Sequence, residues 1–226
     1  MITLKYKKHD TAVYISHIDT LRAMVRSVRR AGIEVDFSKG FNPHMLLFFS
    51  PPLALGVSSE CEYVTADCKG VTPEEFVSRY NAVCAPGFEA VAAFYTPKSP
   101  NLAGRIRAAD YEFSYSADKA EAVAAAVKAV MTSDVYEVGQ TTKGGPVKKE
   151  CRKLIYAMED LGGVLRVKLA TGNDNLRADR LALQMNEDFG TAFEVTGIVK
   201  KVQYAEHDGA VIPADEFLVK TGEEVK

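Results

Sequence analysis

Residues 2–49 read ITLKYKKHDTAVYISHIDTLRAMVRSVRRAGIEVDFSKGFNPHMLLFF, and the periodicities within this stretch decide the fold. Ile2, Leu4 and Tyr6 alternate with polar residues, the pattern of a half-buried strand. Ser16-His17-Ile18-Asp19 opens a helix: the Ser16 hydroxyl can cap a free backbone N–H, and the Asp19 carboxylate suits the positive helix end. Ile18, Leu21, Val25 and Val28 recur at helical spacing as the expected buried stripe, and Gly32 supplies the stop. Strands are expected at 33–37 and 45–49, the second a continuous apolar run of the kind that fills the centre of a sheet.

Working outward, residues 59–66 alternate again, Pro73 opens a helix over PEEFVSRYNAVC, and 88–95 form a strand. The same order then returns: strand 110–116, helix 118–131, strand 135–141, a strand running into a turn within 147–161, strand 164–170, helix 176–186 and strand 193–204. Between the two series, Pro97, Ser99, Pro100, Asn101 and Gly104 interrupt periodicity over 97–108. The economical reading is α+β: two tandem ferredoxin-like (βαββαβ) units, residues 1–97 and 108–206, with antiparallel sheets and helices on one face. Residues 207–226 read as a polar tail, partly disordered.

The chain has 226 residues, 47% apolar, with 28 Lys+Arg against 30 Asp+Glu. No run approaches the 18 apolar residues of a membrane span, and the basic start lacks the apolar segment of a signal peptide, so a cytoplasmic location is expected. Cys61, Cys68, Cys84 and Cys151 match no zinc or iron–sulfur spacing. They read as packing residues, and neither metal nor cofactor is expected.

The near-neutral total conceals a division. Residues 1–50 hold eight basic side chains against four acidic ones, a net of +4, whereas residues 51–100 hold three against six, a net of −3. Arg22, Arg26, Arg29 and Arg30 fall at i, i+4, i+7 and i+8 on the first helix, with no acid between Asp19 and Glu34. Such a face is either an ordinary solvated surface or a row of phosphate ligands. In Phe37-Ser38-Lys39-Gly40-Phe41-Asn42-Pro43-His44, Gly40 permits positive φ and an anion-binding nest, and Asn42-Pro43 is a turn signal before His44. Phe41 needs a pocket or a stacking partner: it either anchors a hairpin in the core or meets a base. His17, beside the positive helix end, is expected to be neutral and is a second candidate acid or base. Glu60 and Glu62, two apart on a strand, read as paired carboxylates or as a solvent-facing edge.

Tyr14-Ile15-Ser16-His17-Ile18-Asp19, Arg22, Arg29-Arg30-Ala31-Gly32-Ile33, the 37–44 loop, Pro51-Pro52-Leu53-Ala54-Leu55-Gly56-Val57 and Ser59-Glu60-Cys61-Glu62-Tyr63 resemble the signature of the radical SAM-linked protein family, a bacterial family without an assigned biochemical function. Weaker similarity runs through residues 108–111, 149–152 and 175–179. Glu150, Ala178 and Met45 depart from the pattern. The resemblance implies a chain encoded beside, or fused to, a radical SAM protein. The scattered cysteines do not supply the three thiolates that radical SAM chemistry needs. The leading expectation is therefore a non-catalytic substrate-binding partner of a radical SAM enzyme, with RNA as the favoured substrate. In it Arg22, Arg26, Arg29 and Arg30 hold phosphates, and Lys39, Phe41, Asn42 and His44 read or stack a nucleotide. The alternatives are a metal-independent enzyme on RNA or another phosphate-bearing substrate, with His44 or His17 as general acid or base, and a protein–protein adaptor.

Overall fold

β1 (Ile2–Lys8) buries Ile2, Leu4, Tyr6 and also Lys8, so the alternation continues one step past the apolar residues. The structure, a computed structural model, describes residues 1–142 and 144–223. β1 lies between β3 (Ser58–Ala66) and β4 (Ala90–Tyr95), antiparallel to both, with Leu4 opposite Val64 and Ala93. α1 (His17–Arg30) and α2 (Pro73–Asn81) cover this part of the sheet, and Met24, Val28, Phe76 and Tyr80 close a core over Ile2, Leu4 and Val64. Both helices start on the expected caps: Ser16 Oγ accepts from Asp19 N–H, and Thr72 with Glu75 forms a capping box.

The second half supplies β5 (Ile106–Ser114), α4 (Ala120–Thr132), β8 (Ile155–Asp160), β9 (Val164–Ala170), α5 (Ala178–Phe189) and β10 (Ile198–His207), preceded by the short α3 (Leu102–Arg105). Its core joins Val123, Ala126 and Val130 of α4 and Leu181 and Met185 of α5 to Phe113, Val167 and Ile198. Between α4 and β8, β6 (Glu137–Thr142) and β7 (Gly145–Glu150) form a separate two-stranded ribbon.

The fold is α+β, with a large, mostly antiparallel sheet. Among the described residues one nine-stranded sheet runs β4-β1-β3-β10-β5-β9-β8, with β2 (Leu47–Phe49) added on β3 and β11 (Ala210–Pro213) on β10. Two separate sheets were the expectation; a parallel junction instead joins the halves, with Val199 opposite Ser58 and Lys200 opposite Ser59. The junction exists because β2 is short. It covers only residues 64–66 of the β3 edge and leaves the start of that strand to β10. Where neither neighbour reaches, side chains complete the pairing: Ser50 Oγ accepts from Tyr63 N–H at 3.2 Å, and Gln203 Nε2 donates to Cys61 O at 2.6 Å.

Three further expectations are corrected. Residues 33–37 form two isolated bridges, Val35 to Cys68 and Phe37 to Met45, rather than a strand. The 45–49 run is not central: β2 is three residues long, and Phe48 is exposed, because these apolar side chains line a cleft. Residues 210–223 are ordered elements, β11 and α6 (Ala214–Glu223), although the stretch reads as polar. Ala214, Phe217 and Leu218 form one apolar face, and Asp215 binds Lys5 at 2.6 Å and Tyr63 at 2.7 Å. Residues 224–226, the end of the expected frayed tail, lie outside the described residues. Outside the two expected units, α6 lies on the other face of the sheet. α6 packs on Cys61 and Tyr63, whose side chains alternate across the sheet from the Val64 and Ala66 covered by α1 and α2.

Candidate functional site

α1 turns a different face inward from the one its apolar residues suggest. Thr20, Met24, Ser27 and Val28 are buried, whereas Ile18 is 62% and Leu21 38% exposed. Thr20 and Ser27 tolerate burial because Thr20 Oγ1 donates to Ser16 O at 3.0 Å and Ser27 Oγ accepts from Ala85 N–H at 3.3 Å. Arg22, Arg26 and Arg29 therefore stand directly opposite the core, with Ile18, Leu21 and Val25 on their flank.

These three arginines line a groove of about 480 Å³ whose other wall is Pro43, His44, Met45 and Leu47. Arg22 Nη1 donates to Asp19 Oδ1 at 3.1 Å, and Arg29 sits over the Phe37 ring at 5.9 Å. The hydrogen bond from the Ser16 hydroxyl, with help from Arg22, holds the Asp19 carboxyl below its ordinary range. Arg30 is not part of the groove. At roughly 100° per residue it lies about 80° around the helix from Arg22, and it donates to Val83 O at 2.8 Å and Ser27 Oγ at 3.3 Å on the α2 side.

The 38–44 loop is a closed hairpin. Ser38 N–H donates to His44 O (2.8 Å), His44 N–H donates to Ser38 Oγ (3.0 Å), and His44 Nδ1 shares a 2.8 Å hydrogen bond with that hydroxyl. Gly40 has φ +127, the region the turn requires. These bonds and the Phe37–Met45 bridge close the loop without Phe41, which is wholly exposed; the core-anchor alternative for it is overturned. Lys39 and Asn42 share the exposed tip. The structure thus brings together Arg22, Arg26, Arg29 and His44, sets Lys39, Phe41 and Asn42 on the loop beyond them, and leaves Arg30 and His17 elsewhere.

His17 lies on a second cleft, of about 550 Å³, along the seam between the halves. Its ring meets Phe49 edge-on at 5.6 Å between centroids. Phe48, Pro51 and Pro52 form apolar walls, and Asn101 and Asn173 contribute amides from the joint and the second half. Gly172, next to Asn173 in sequence, has φ +94, and a Cβ there would come within 2.6 Å of Ile106 O. This cleft meets the arginine groove at Leu21 and Leu47, which line both.

Behind the cleft is a buried charge cluster that sequence reasoning missed. Lys200 donates to Glu62 at 2.8 Å, Ser59 Oγ donates to the same carboxylate at 2.7 Å, and Lys8 donates to Ile15 O at 3.0 Å. Burial works against the Lys200 charge, yet Glu62 beside it holds the ammonium above its ordinary range; burial lowers Lys8, with Glu62 opposing and Lys200 reinforcing the shift. Glu60 and Glu62 are not a working pair: Glu60 is exposed and bound to Lys201 at 2.7 Å, whereas Glu62 is buried. The missed signal was present, since Lys8 continues the Ile2-Leu4-Tyr6 alternation and Lys200 that of Ile198.

Among the described residues no group of three or more His, Cys, Asp or Glu side chains is arranged to hold a metal ion, and no helix is long and apolar enough to cross a membrane. All four cysteines are unpaired, and burial pushes the Cys61 thiol up to about 12.

An α+β chain with an arginine groove and a seam cleft is the class these features define. By sequence the chain belongs to a family described as an uncharacterized protein conserved in bacteria (DUF2344), whose model matches residues 1–207. No curated protein matches the chain.

Proposed function

We propose that the chain binds single-stranded RNA and presents it to a separate enzyme rather than transforming it. The supporting observation is the groove in which Arg22, Arg26 and Arg29 stand on one side and His44 on the other, with exposed Phe41 on the loop that supplies the second wall. Arginines spaced along a groove suit backbone phosphates, and exposed aromatic side chains suit bases of any sequence. In this reading each half is a ferredoxin-like βαββαβ unit. The matching strand orders support it: β4-β1-β3-β2 in the first half and β10-β5-β9-β8 in the second. The enzyme we propose as partner is a radical SAM protein encoded nearby, on the strength of the sequence resemblance.

The test is titration of the purified chain with single-stranded RNA at several salt concentrations. Three phosphate contacts predict a log–log slope of about −2. Absence of salt-sensitive binding at micromolar protein overturns the reading. A chain that ignores RNA but loses a protein partner on Ile18→Asp would be an adaptor docking through exposed Tyr14 and Ile18.

One observation favours a second reading, a metal-independent enzyme on RNA: the hydrogen bond between His44 and Ser38 beside three arginines fits a general acid or base near a charge-stabilising group. Cleavage of RNA in the presence of a chelator, abolished by His44→Ala, would establish it; intact RNA after prolonged incubation would exclude it.

A further inference from the structure

The seam cleft has no part in the groove reading, and its chemistry is the opposite of the groove's. Among the described residues no Asp, Glu, Lys or Arg side chain lines it, and His17 is its one titratable group. The groove beside it carries three arginines, and the two surfaces meet at Leu21 and Leu47, which line both. A ligand that crosses from one to the other places its negative charge on the arginines and a neutral, partly apolar group in the seam. The backbone and the bases of a single strand divide in that way.

The cleft suits a flat group with a polar edge. Its volume of about 550 Å³ falls in the ~300–1,000 Å³ range of small-molecule pockets. Phe48 is 47% exposed on a strand of only three residues, a large apolar ring held in water at the cleft. Phe49, next along the strand, is set edge-on against His17, and Pro51 and Pro52 continue the apolar wall. The polar groups come from across the seam. Asn101 and Asn173 are exposed, and neither amide makes a side-chain hydrogen bond among the described residues. Each amide carries donors and an acceptor, which is what the edge of an unstacked base presents in return. The loop before Asn173 is held in place: Thr171 N–H donates to Arg107 O at 2.9 Å, and Gly172 lies so close to Ile106 O that no side chain fits there.

We propose that the seam cleft receives one unstacked base of the RNA strand whose phosphates lie on Arg22, Arg26 and Arg29, with Phe48 as the stacking surface and Asn101 and Asn173 as the groups that select the base. The inference rests on the groove reading and adds base selection to it. Phe41 does not supply that selection: wholly exposed on its loop, it stacks on any base alike.

Anisotropy titrations of the full chain with short labelled homopolymers of A, C and U, and with a U strand interspersed with G, each at several salt concentrations, test this. Hydrogen bonds from two amides to the base edge predict a preference of about tenfold or more for one of the four strands. The salt slope, set by the phosphates, should be common to all four. Phe48→Ala should weaken the preferred strand about fivefold or more, the lower end of base-stacking effects, with the slope unchanged. Asn173→Ala should collapse the preference, and so should Asn101→Gly, glycine being the replacement that suits the φ of +48 at that position. Should Phe48→Ala fail to fold, the two exposed asparagine variants carry the test. Salt-sensitive binding with equal affinity for the four strands, or variants that keep the wild-type preference, would overturn the inference and leave the groove reading standing. Absence of salt-sensitive binding to every strand would overturn the groove reading and this inference with it.

Discussion

α1 and α4 hold the same place in the two halves, each the helix that follows the first strand, and their outward faces are unlike. Both bury a narrow stripe: Thr20, Met24, Ser27 and Val28 in α1, and Val123, Ala126 and Val130 in α4. Outward, α4 shows Glu121, Ala124, Ala125, Lys128 and Ala129, small or of mixed sign, whereas α1 shows Ile18, Leu21 and three groove arginines. The inward stripes answer to the sheet, and a packed core asks for little more than size and apolar character. The outward face is free of that demand. Three groove arginines and two large apolar side chains held in water on α1, against alanines on α4, are why the function we propose assigns binding to the first half and a framing role to the second.

That comparison treats the halves as one body, so the largest expected effect lies at the seam. Lys200→Met leaves Glu62 buried with Ser59 as its remaining hydrogen-bond donor, and removing one partner of a buried ion pair costs about 3–5 kcal/mol. Urea unfolding should show this as a lowered midpoint, and Lys200→Met/Glu62→Leu should regain much of it. A single variant within about 1 kcal/mol of wild type would mean that the pair does not hold the seam.

The next effect tests the two helix faces directly. Arg22→Ala/Arg26→Ala/Arg29→Ala should remove a salt slope of about 2, which between 1 M and 50 mM salt amounts to roughly 100-fold or more in RNA affinity. Exposed substitutions of this kind should each change stability by less than about 0.5 kcal/mol. Lys128→Ala on α4 should leave RNA affinity unchanged; loss on both helices would erase the difference between the halves. Phe41→Ala should weaken RNA by about 1 kcal/mol, the lower end of base-stacking values, with no change in unfolding, since the ring touches no core. Retained affinity would remove Phe41 from the interface.

The sequence made the α+β class, the strand–helix order and both helix caps legible, because alternation and capping residues are local signals. What escaped it depends on partners distant along the chain. The junction of β10 with β3 follows from the brevity of β2, which no local pattern announces in the apolar run at 45–49. The inward turn of Thr20 and Ser27 depends on hydrogen bonds to Ser16 and Ala85 that make small polar residues acceptable inside. Arg22, Arg26 and Arg29 were legible as a face because helical spacing is enough to align them; that His44 faces them across a groove required the 38–44 hairpin. Lys8 and Lys200 were visible in the alternation, but a lysine on the inward register reads as an error in phase until its environment is known.

The smallest effect concerns Lys8, buried on the inward register of β1. Burial lowers its folded pKa below the ordinary value of about 10.4 that the unfolded chain retains. Between those two values the unfolded state carries one more proton, so this residue makes stability rise with pH across the window, and the charged form is least tolerated below it. Unfolding free energies of wild type and Lys8→Met, compared from neutral pH to about 10, should diverge in favour of wild type as pH rises. Both chains share the buried Tyr6, Tyr80 and Tyr111, whose phenols burial raises, so the alkaline loss of stability above about 10 cancels in the comparison. Parallel curves for the two chains would mean that burial does not lower the Lys8 pKa in the folded chain.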